Sequence, residues 1–396
     1  MLKRIMIVVA VAMLIGILAY SNMAAEKDEL LYMKQILPQT SFKEISNNPP
    51  TFKADQSNGK DHYYVVFGEA NGYGGPMKIA TVIDPLGEIQ QVVVVESRET
   101  SSFLNKVLKA KFLDQFKNIK ANNPIELGAD IDYVTGATVS SRAIANAVRQ
   151  GSHEVAVNQL GLSISEKPES WKFGLAEASA IILFLAVLIL SLVWKKSKVR
   201  YITLLAAVVI FGFWLKIQIS LSSISALLMG YWPSIHSNMI WYVIVLGGLG
   251  IALFSGRNLY CYWLCPFGGV QELTSMVRGH SKCRRVSNQL LRLLPKILLW
   301  SGLLLTFLYR NPAIGSYEPF GTLFGLTGTF LNWLLLLVIM TGSIFIYRFW
   351  CDCFCPVGAF LDICAKIRRK LGKLATLTGQ SYPAPNADRI KTSRCN

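Results

Sequence analysis

Charge is scarce in this sequence: Asp, Glu, Lys and Arg make up 16% of its 396 residues, against roughly a quarter in an ordinary soluble protein. Acidic residues are the scarcer kind, 24 against 40 Lys and Arg, for a formal charge of +16. That surplus does not form a nucleic-acid surface, because no basic module with interleaved stacking aromatics is visible. It gathers instead in short runs beside apolar stretches, such as Lys195, Lys196, Lys198 and Arg200, the positive-inside pattern of cytoplasmic loops. Cysteine is absent from the first 260 residues, and all eight copies lie at or after Cys261. A small exported domain built from that first part therefore does not rely on disulfides. Histidine is rare as well. His62, His153 and His280 share no metal-ligand spacing and read as surface or structural residues, and His236 lies among Tyr231, Trp232 and Trp241, where a quinone headgroup or an interfacial anchor are the two readings.

What is present is apolar. At 52% hydrophobic, the chain has long runs over Phe173–Trp194, Tyr201–Ser220, Met239–Ser255, Lys296–Tyr309 (or from Leu290) and Phe330–Tyr347. All are near the ~20 residues that a membrane span needs. The amino terminus carries Lys3 and Arg4 before an apolar run to Ala19, a signal sequence or an uncleaved anchor that exports the polypeptide after it. Five spans after an exported domain place 195–200, 257–292 and 348–396 in the cytoplasm. The loops Leu221–Asn238 and Asn311–Gly328, which contain no Lys or Arg, then lie outside. Lys216 reads as a snorkelling side chain at the end of the second run, and Glu177 is similar at the start of the first. The expected domains are a leader or anchor over 1–25, an extracytoplasmic domain over 26–168, a five-span helical domain over 169–365 and a basic, polar tail over 366–396. The expected fold class is thus an α+β domain followed by an all-α transmembrane bundle.

In the exported part, Tyr63–Phe67, Lys78–Ile83 and Ile89–Glu96 read as strands, with Asp84-Pro85-Leu86-Gly87 as a turn. Phe103–Phe116 and Ser140–Gln159 have helical spacing. The segment Asp132-Tyr-Val-Thr135-Gly136-Ala137-Thr138 is a turn leading into a helix. Its glycine permits unusual backbone angles, and a hydroxyl at the helix start suits either an N-cap or a bound phosphate.

Two loops repeat a pattern: Cys261-x-x-x-Cys265-Pro266-Phe-Gly268 and Cys351-x-x-x-Cys355-Pro356-Val-Gly358, each directly after an apolar run. In a helical turn the spacing brings both sulfurs to one face. Four thiolates from two such loops suit an iron–sulfur cluster, a single metal ion or dithiol redox chemistry, with Cys353, Cys283 and Cys364 as substitutes and Cys395 as a bystander.

The Asp-x-x-Thr-Gly-Ala-Thr segment resembles the flavinylation signature of the covalent FMN-binding domains in sodium-pumping quinone reductases and Rnf-type complexes. The resemblance implies FMN joined to Thr138 through a phosphoester by a flavin transferase. It also implies that Asp132, Thr135, Gly136 and Ala137 build the attachment turn, and that Tyr73, Glu99 and Thr100 line the flavin. Ser101-Ser102-Phe103 stands where many relatives have Pro-Gly. Exported FMN domain, five spans and two Cys-x-x-x-Cys-Pro loops together resemble the NosR/NirI family, and the absence of a ferredoxin module makes the shorter PceC-type flavoproteins similar too. That resemblance implies a multi-pass protein of the cytoplasmic membrane. It would carry electrons between a quinol or a cytoplasmic donor and an extracytoplasmic reductase, or act as a sensor or maturation factor for such a reductase, and it would not be a stand-alone enzyme.

Overall fold

The computed structural model describes residues 2–23, 29–38, 40–56, 62–72, 75–99, 101–164, 174–193, 197–233, 235, 238–276, 289–315, 317–326 and 328–377. It divides into two units. The first comprises 1–170 with 225–234 and 306–314; the second comprises 171–224, 235–305 and 315–396.

The first unit opens with α1 (Leu2–Met23) and α2 (Glu29–Ile36), and continues into an antiparallel meander of five strands in the order β1-β2-β3-β4-β5. These are β1 (Thr40–Asn47), β2 (Pro50–Gln56), β3 (His62–Asn71), β4 (Pro76–Ile83) and β5 (Ile89–Ser97). Alternation along β3 and β4 feeds two cores, because successive side chains leave opposite faces of a sheet. Tyr64, Val66, Ile79 and Ile83 pack in one core with Ile144, Ala147 and Val148, which lie on α4 (Thr138–Asn158). Val65, Phe67, Ala80 and Val82 pack in the other with Met33 of α2. Gly68 lets α4 press onto β3: a Cβ there would meet the Ala147 carbonyl oxygen at 2.0 Å. Between sheet and α4 runs α3 (Ser101–Lys109), followed by a 3-10 turn over Phe112–Phe116. The single helix expected over Phe103–Phe116 is thus split, because Lys111 takes a left-handed conformation at φ 53°. β1 and β2 escaped the sequence reading, since neither has a Val or Ile run. Their cross-strand register, from Thr40↔Gln56 to Asn47↔Pro50, makes them strands. This unit also holds the Asn71 amide, donating to the Trp232 carbonyl at 2.8 Å, and Arg98, donating to the Tyr231 hydroxyl.

The helical part runs α5 (Leu175–Val193), α6 (Ser197–Ala207), α7 (Leu221–Met229), α8 (Met239–Ser255), α9 (Pro266–Met276), α10 (Gln289–Tyr309), α11 (Phe320–Gly325), α12 (Phe330–Phe345), α13 (Phe349–Cys353) and α14 (Pro356–Leu377). Among the described residues, one helix, Leu291–Tyr309, is long and apolar enough to cross a membrane. Val9–Tyr20, Leu175–Ser191, Val199–Trp214, Met239–Ser255 and Phe330–Phe345 are apolar over shorter lengths. The second apolar run stops early. α6 widens into a π-helical turn over Val208–Trp214, Leu215 N–H bonds back to Ile210 O, and Lys216 takes φ 54°. Residues 317–326 pack inward. Phe320 and Phe324 of α11 are buried in the helical core, and the Tyr317 hydroxyl donates to the Phe354 carbonyl at 2.7 Å.

Candidate functional site

Two places gather the residues singled out by the sequence. In the first unit, Gly136 at φ 77° turns the chain into α4. Ala137 is the buried N-cap residue, and no side chain caps the helix. Thr138 is half-buried at the first helical position. Lys106 Nζ comes within 3.1 Å of where a Cβ on Gly136 would stand. An uncapped 21-residue helix start, a hydroxyl at its first position and a neighbouring ammonium fit a phosphate, which backbone N–H groups and the helix dipole both favour. Glu99 arrives from the end of β5 and is 4% exposed; its carboxylate accepts from the Ser140 hydroxyl at 2.9 Å. Asp132 and Thr135 are exposed in the preceding turn. Asp132 is tied there through its backbone, whose N–H donates to Gln115 Oε1 at 2.9 Å. Val134 N–H reaches the Ser141 hydroxyl at 3.3 Å. Tyr73, Thr100 and His236 lie outside the described residues, as do Cys283, Cys395 and His280.

In the second unit the two cysteine loops meet. Cys261 sits in a π-helical turn over Tyr260–Leu264, and Cys265 follows it in extended conformation. Cys351 is in α13 and Cys355 lies just beyond it. The spacing therefore does not come from one continuous α-helix. It comes from a tight turn that breaks at the second cysteine so that proline can start the next helix, a position where its missing N–H costs nothing. Both breaks are built alike. Cys265 N–H bonds to Tyr260 O and Cys355 N–H to Trp350 O, each at 2.9 Å. Each second sulfur then accepts the N–H of the glycine three residues on, Gly268 to Cys265 at 3.4 Å and Gly358 to Cys355 at 3.3 Å. Cys265 and Cys355 thus cap the starts of α9 and α14, where the dipole favours thiolate.

A local two-fold relation goes further. Aligned on the cysteines, Asn258 matches Arg348 and Glu272 matches Asp362. Each loop bonds the other copy's acid: Arg348 Nε donates to Glu272 Oε1 at 2.6 Å, and Asn258 Nδ2 donates to Asp362 Oδ1 at 2.9 Å. Arg348 also donates to the Cys261 carbonyl at 2.9 Å. Arg200 joins Glu272 on the same oxygen and stacks 3.9 Å over the Tyr262 ring. Gln271, fully buried, donates to Cys351 Sγ at 3.3 Å. Sequence reading missed these partners. The signal was available in the repeat, once its cysteine alignment is extended to Asn258 and Arg348 on one side and to Glu272 and Asp362 on the other.

Burial raises all four thiols, Cys351 to about 12. Neighbouring thiols push Cys261, Cys351 and Cys355 up further, because the charges of the four sulfurs act on one another. Cys353 rises to about 11 through burial and Asp352 alone, and burial also raises Cys364; neither joins the set of four. Among the described residues no three His, Cys, Asp or Glu side chains lie close enough to hold a single metal ion. Four buried thiols near enough to feel one another's charge have the chemistry of an iron–sulfur ligand set. A cationic cluster core also removes the repulsion among them.

Residues 72–152 match the family described as the FMN-binding domain, and residues 237–284 and 328–373 match a 4Fe-4S binding domain, each of these two stretches holding one cysteine pair. Protein NirI of Paracoccus denitrificans is 29% identical over 49% of this chain and 32% of its own length. One component of the proton-translocating ferredoxin:NAD(+) oxidoreductase complex of Clostridium ljungdahlii is 29% identical over 29% of this chain and 64% of its own. Regulatory protein NosR of Pseudomonas aeruginosa is 28% identical over 37% of this chain and 22% of its own. The chain spans less than two thirds of each of these relatives. Its cofactors are FMN and an iron–sulfur cluster.

Proposed function

Because the chain is related to the NosR/NirI-type flavoproteins through both of its cofactor-binding domains, we propose that it is a multi-pass membrane flavoprotein carrying electrons between the quinol pool or a cytoplasmic donor and an extracytoplasmic reductase. The observation that carries this reading is the presence in one chain of a phosphate-ready helix start at Thr138 and a converged set of four cysteines. When bound, the flavin takes up one or two electrons and the cluster one.

The protein's own residues do the holding. Thr138 Oγ1 is the atom that takes the FMN phosphate covalently. The uncapped start of α4 and Lys106 neutralise that phosphate, and Gly136 supplies the turn. Glu99, fixed by Ser140, stands at the rim of the same turn, and Tyr73 and Thr100 belong to the flavin surround. Cys261, Cys265, Cys351 and Cys355 hold the cluster.

A membrane location is supported by the outward faces of the helices. Leu175, Phe254 and Phe330 are each more than 80% exposed, and Ile182, Ile189, Ile202, Leu337 and Val338 more than half exposed. Contiguous apolar surface on so many helices is suited to lipid and not to water.

Flavin fluorescence in a denaturing gel, with a flavin transferase co-expressed, tests the flavin half of this reading. A fluorescent band in the parent that disappears in Thr138→Ala is expected. A dark parent band alongside a demonstrably active transferase would sink it. The description of NosR as a regulatory protein favours a second reading, a regulatory or maturation role. Electron transfer requires that quinol added to membranes reduce the flavin, and a regulator does not.

A further inference from the structure

The two halves of the cysteine centre share the same capping bonds but not the groups that reach their sulfurs. Gln271 and Leu361 occupy equivalent places, six residues past the second cysteine of each motif, and both are buried. The Gln271 amide is held at both ends. Its Oε1 accepts from the Trp350 N–H at 2.9 Å, and the Ser343 hydroxyl lies 3.4 Å away while donating to the Ile339 carbonyl at 2.7 Å. This orients Nε2 toward Cys351 Sγ at 3.3 Å, with the Phe267 carbonyl at 3.4 Å as its other acceptor. Leu361 has no such group to offer. A buried amide, locked by a backbone N–H of the very loop that carries the sulfur, is more than core filler with satisfied valences.

Resting on the reading that Cys261, Cys265, Cys351 and Cys355 hold the cluster, we infer that Gln271 is a positioning residue that tunes it: its N–H···S bond to Cys351 raises the cluster's reduction potential and makes the Cys351 side of the centre unlike the Cys261 side. The physical cause is electron density. A donor to a ligand sulfur stabilises the more negative, reduced state over the oxidised one, and hydrogen bonds to sulfur are among the factors that set cluster potentials. The Arg348 guanidinium, fixed on Glu272 and on the Cys261 carbonyl, adds positive charge that acts in the same direction.

The test uses the full chain, purified anaerobically in detergent with its cluster. Iron and sulfide content are measured first, for the parent and for Gln271→Leu, which copies the residue the twin position already carries. A dithionite titration followed by electron paramagnetic resonance then gives the midpoint potential. Resonance Raman spectra in H2O and D2O report whether a ligand sulfur accepts an exchangeable hydrogen. Gln271→Leu is expected to keep its iron and sulfide, to shift the midpoint to a more negative value, and to lose part of the deuterium-sensitive shift in the iron–sulfur stretching bands. Should that variant not load, Gln271→Met, of equal length and without a donor, is read in its place. An intact cluster with unchanged potential and unchanged deuterium sensitivity overturns the tuning role while leaving the cluster reading in place. Failure of both variants to load assigns Gln271 to folding alone and also overturns it. A parent chain lacking iron and sulfide removes the cluster reading itself, and the inference with it.

Discussion

Cys351 and Cys353 stand two residues apart and both are raised first by burial, yet Cys351 also answers to the charge of Cys265 and Cys353 only to that of Asp352. The difference comes from the turn of α13, which directs neighbouring side chains to different surroundings. Cys351→Ser should therefore strip most of the iron and the charge-transfer absorbance from the purified chain, while Cys353→Ser should retain both, as iron analysis and absorbance spectra would report. Equal losses in the two variants would mean that the ligand set is misassigned. Thr138 shows the same dependence on local surroundings. An N-cap and a phosphate site look alike in sequence; the structure puts Ala137 at the N-cap with no side-chain cap bond and brings Lys106 Nζ near the Gly136 turn, which supports the phosphate reading.

Elements far apart in sequence set the strength of the cysteine centre. Glu272 on α9 lies between Arg200 of α6 and Arg348 at the entry to α13, with side-chain exposures of 0%, 6% and 9%. Removing one member of such a buried group leaves uncompensated charge and typically costs about 3–5 kcal/mol. Glu272→Ala should lower the thermal unfolding midpoint of the purified chain sharply. Asp362→Ala, at the exposed twin pair, should stay within about 0.5 kcal/mol of the parent. Similar losses from both would show that burial does not distinguish the two halves. These pairings also mark what the sequence could and could not disclose. β3, β4, β5 and α4 were legible from alternation and helical spacing, and so were the apolar runs, Met239–Ser255 to the residue. Contacts such as Arg348 to Glu272 follow no helical or strand period, and show in the sequence only when the two cysteine repeats are aligned. The packing of residues 317–326 was hidden for a related reason: a lack of Lys and Arg says nothing of whether a loop meets water or packs against Phe267, as Phe320 does at 5.1 Å between ring centroids.

For the molecule as a whole, the outward apolar faces of α5, α6, α8, α10 and α12 dictate its solvent. An alkaline carbonate wash should leave the chain in the membrane pellet, and detergent should be needed to release it. Recovery in the carbonate supernatant would mean that those faces meet a protein partner and not lipid. The crossed pairing of the two cysteine loops has a consequence for biogenesis. A nascent chain presents Arg200 and Glu272 well before Arg348, so that pair can form as soon as α9 emerges, since chains fold from the amino terminus during synthesis. The other half of the centre arrives only with residues 348–362. Until then Cys261 and Cys265 have no opposite pair and Glu272 lacks its second guanidinium. If these four cysteines hold the cluster, loading with iron and sulfide waits until Phe330–Phe345 is in place, and a ribosome stalled before Arg348 releases a product with the first cysteine pair and no site.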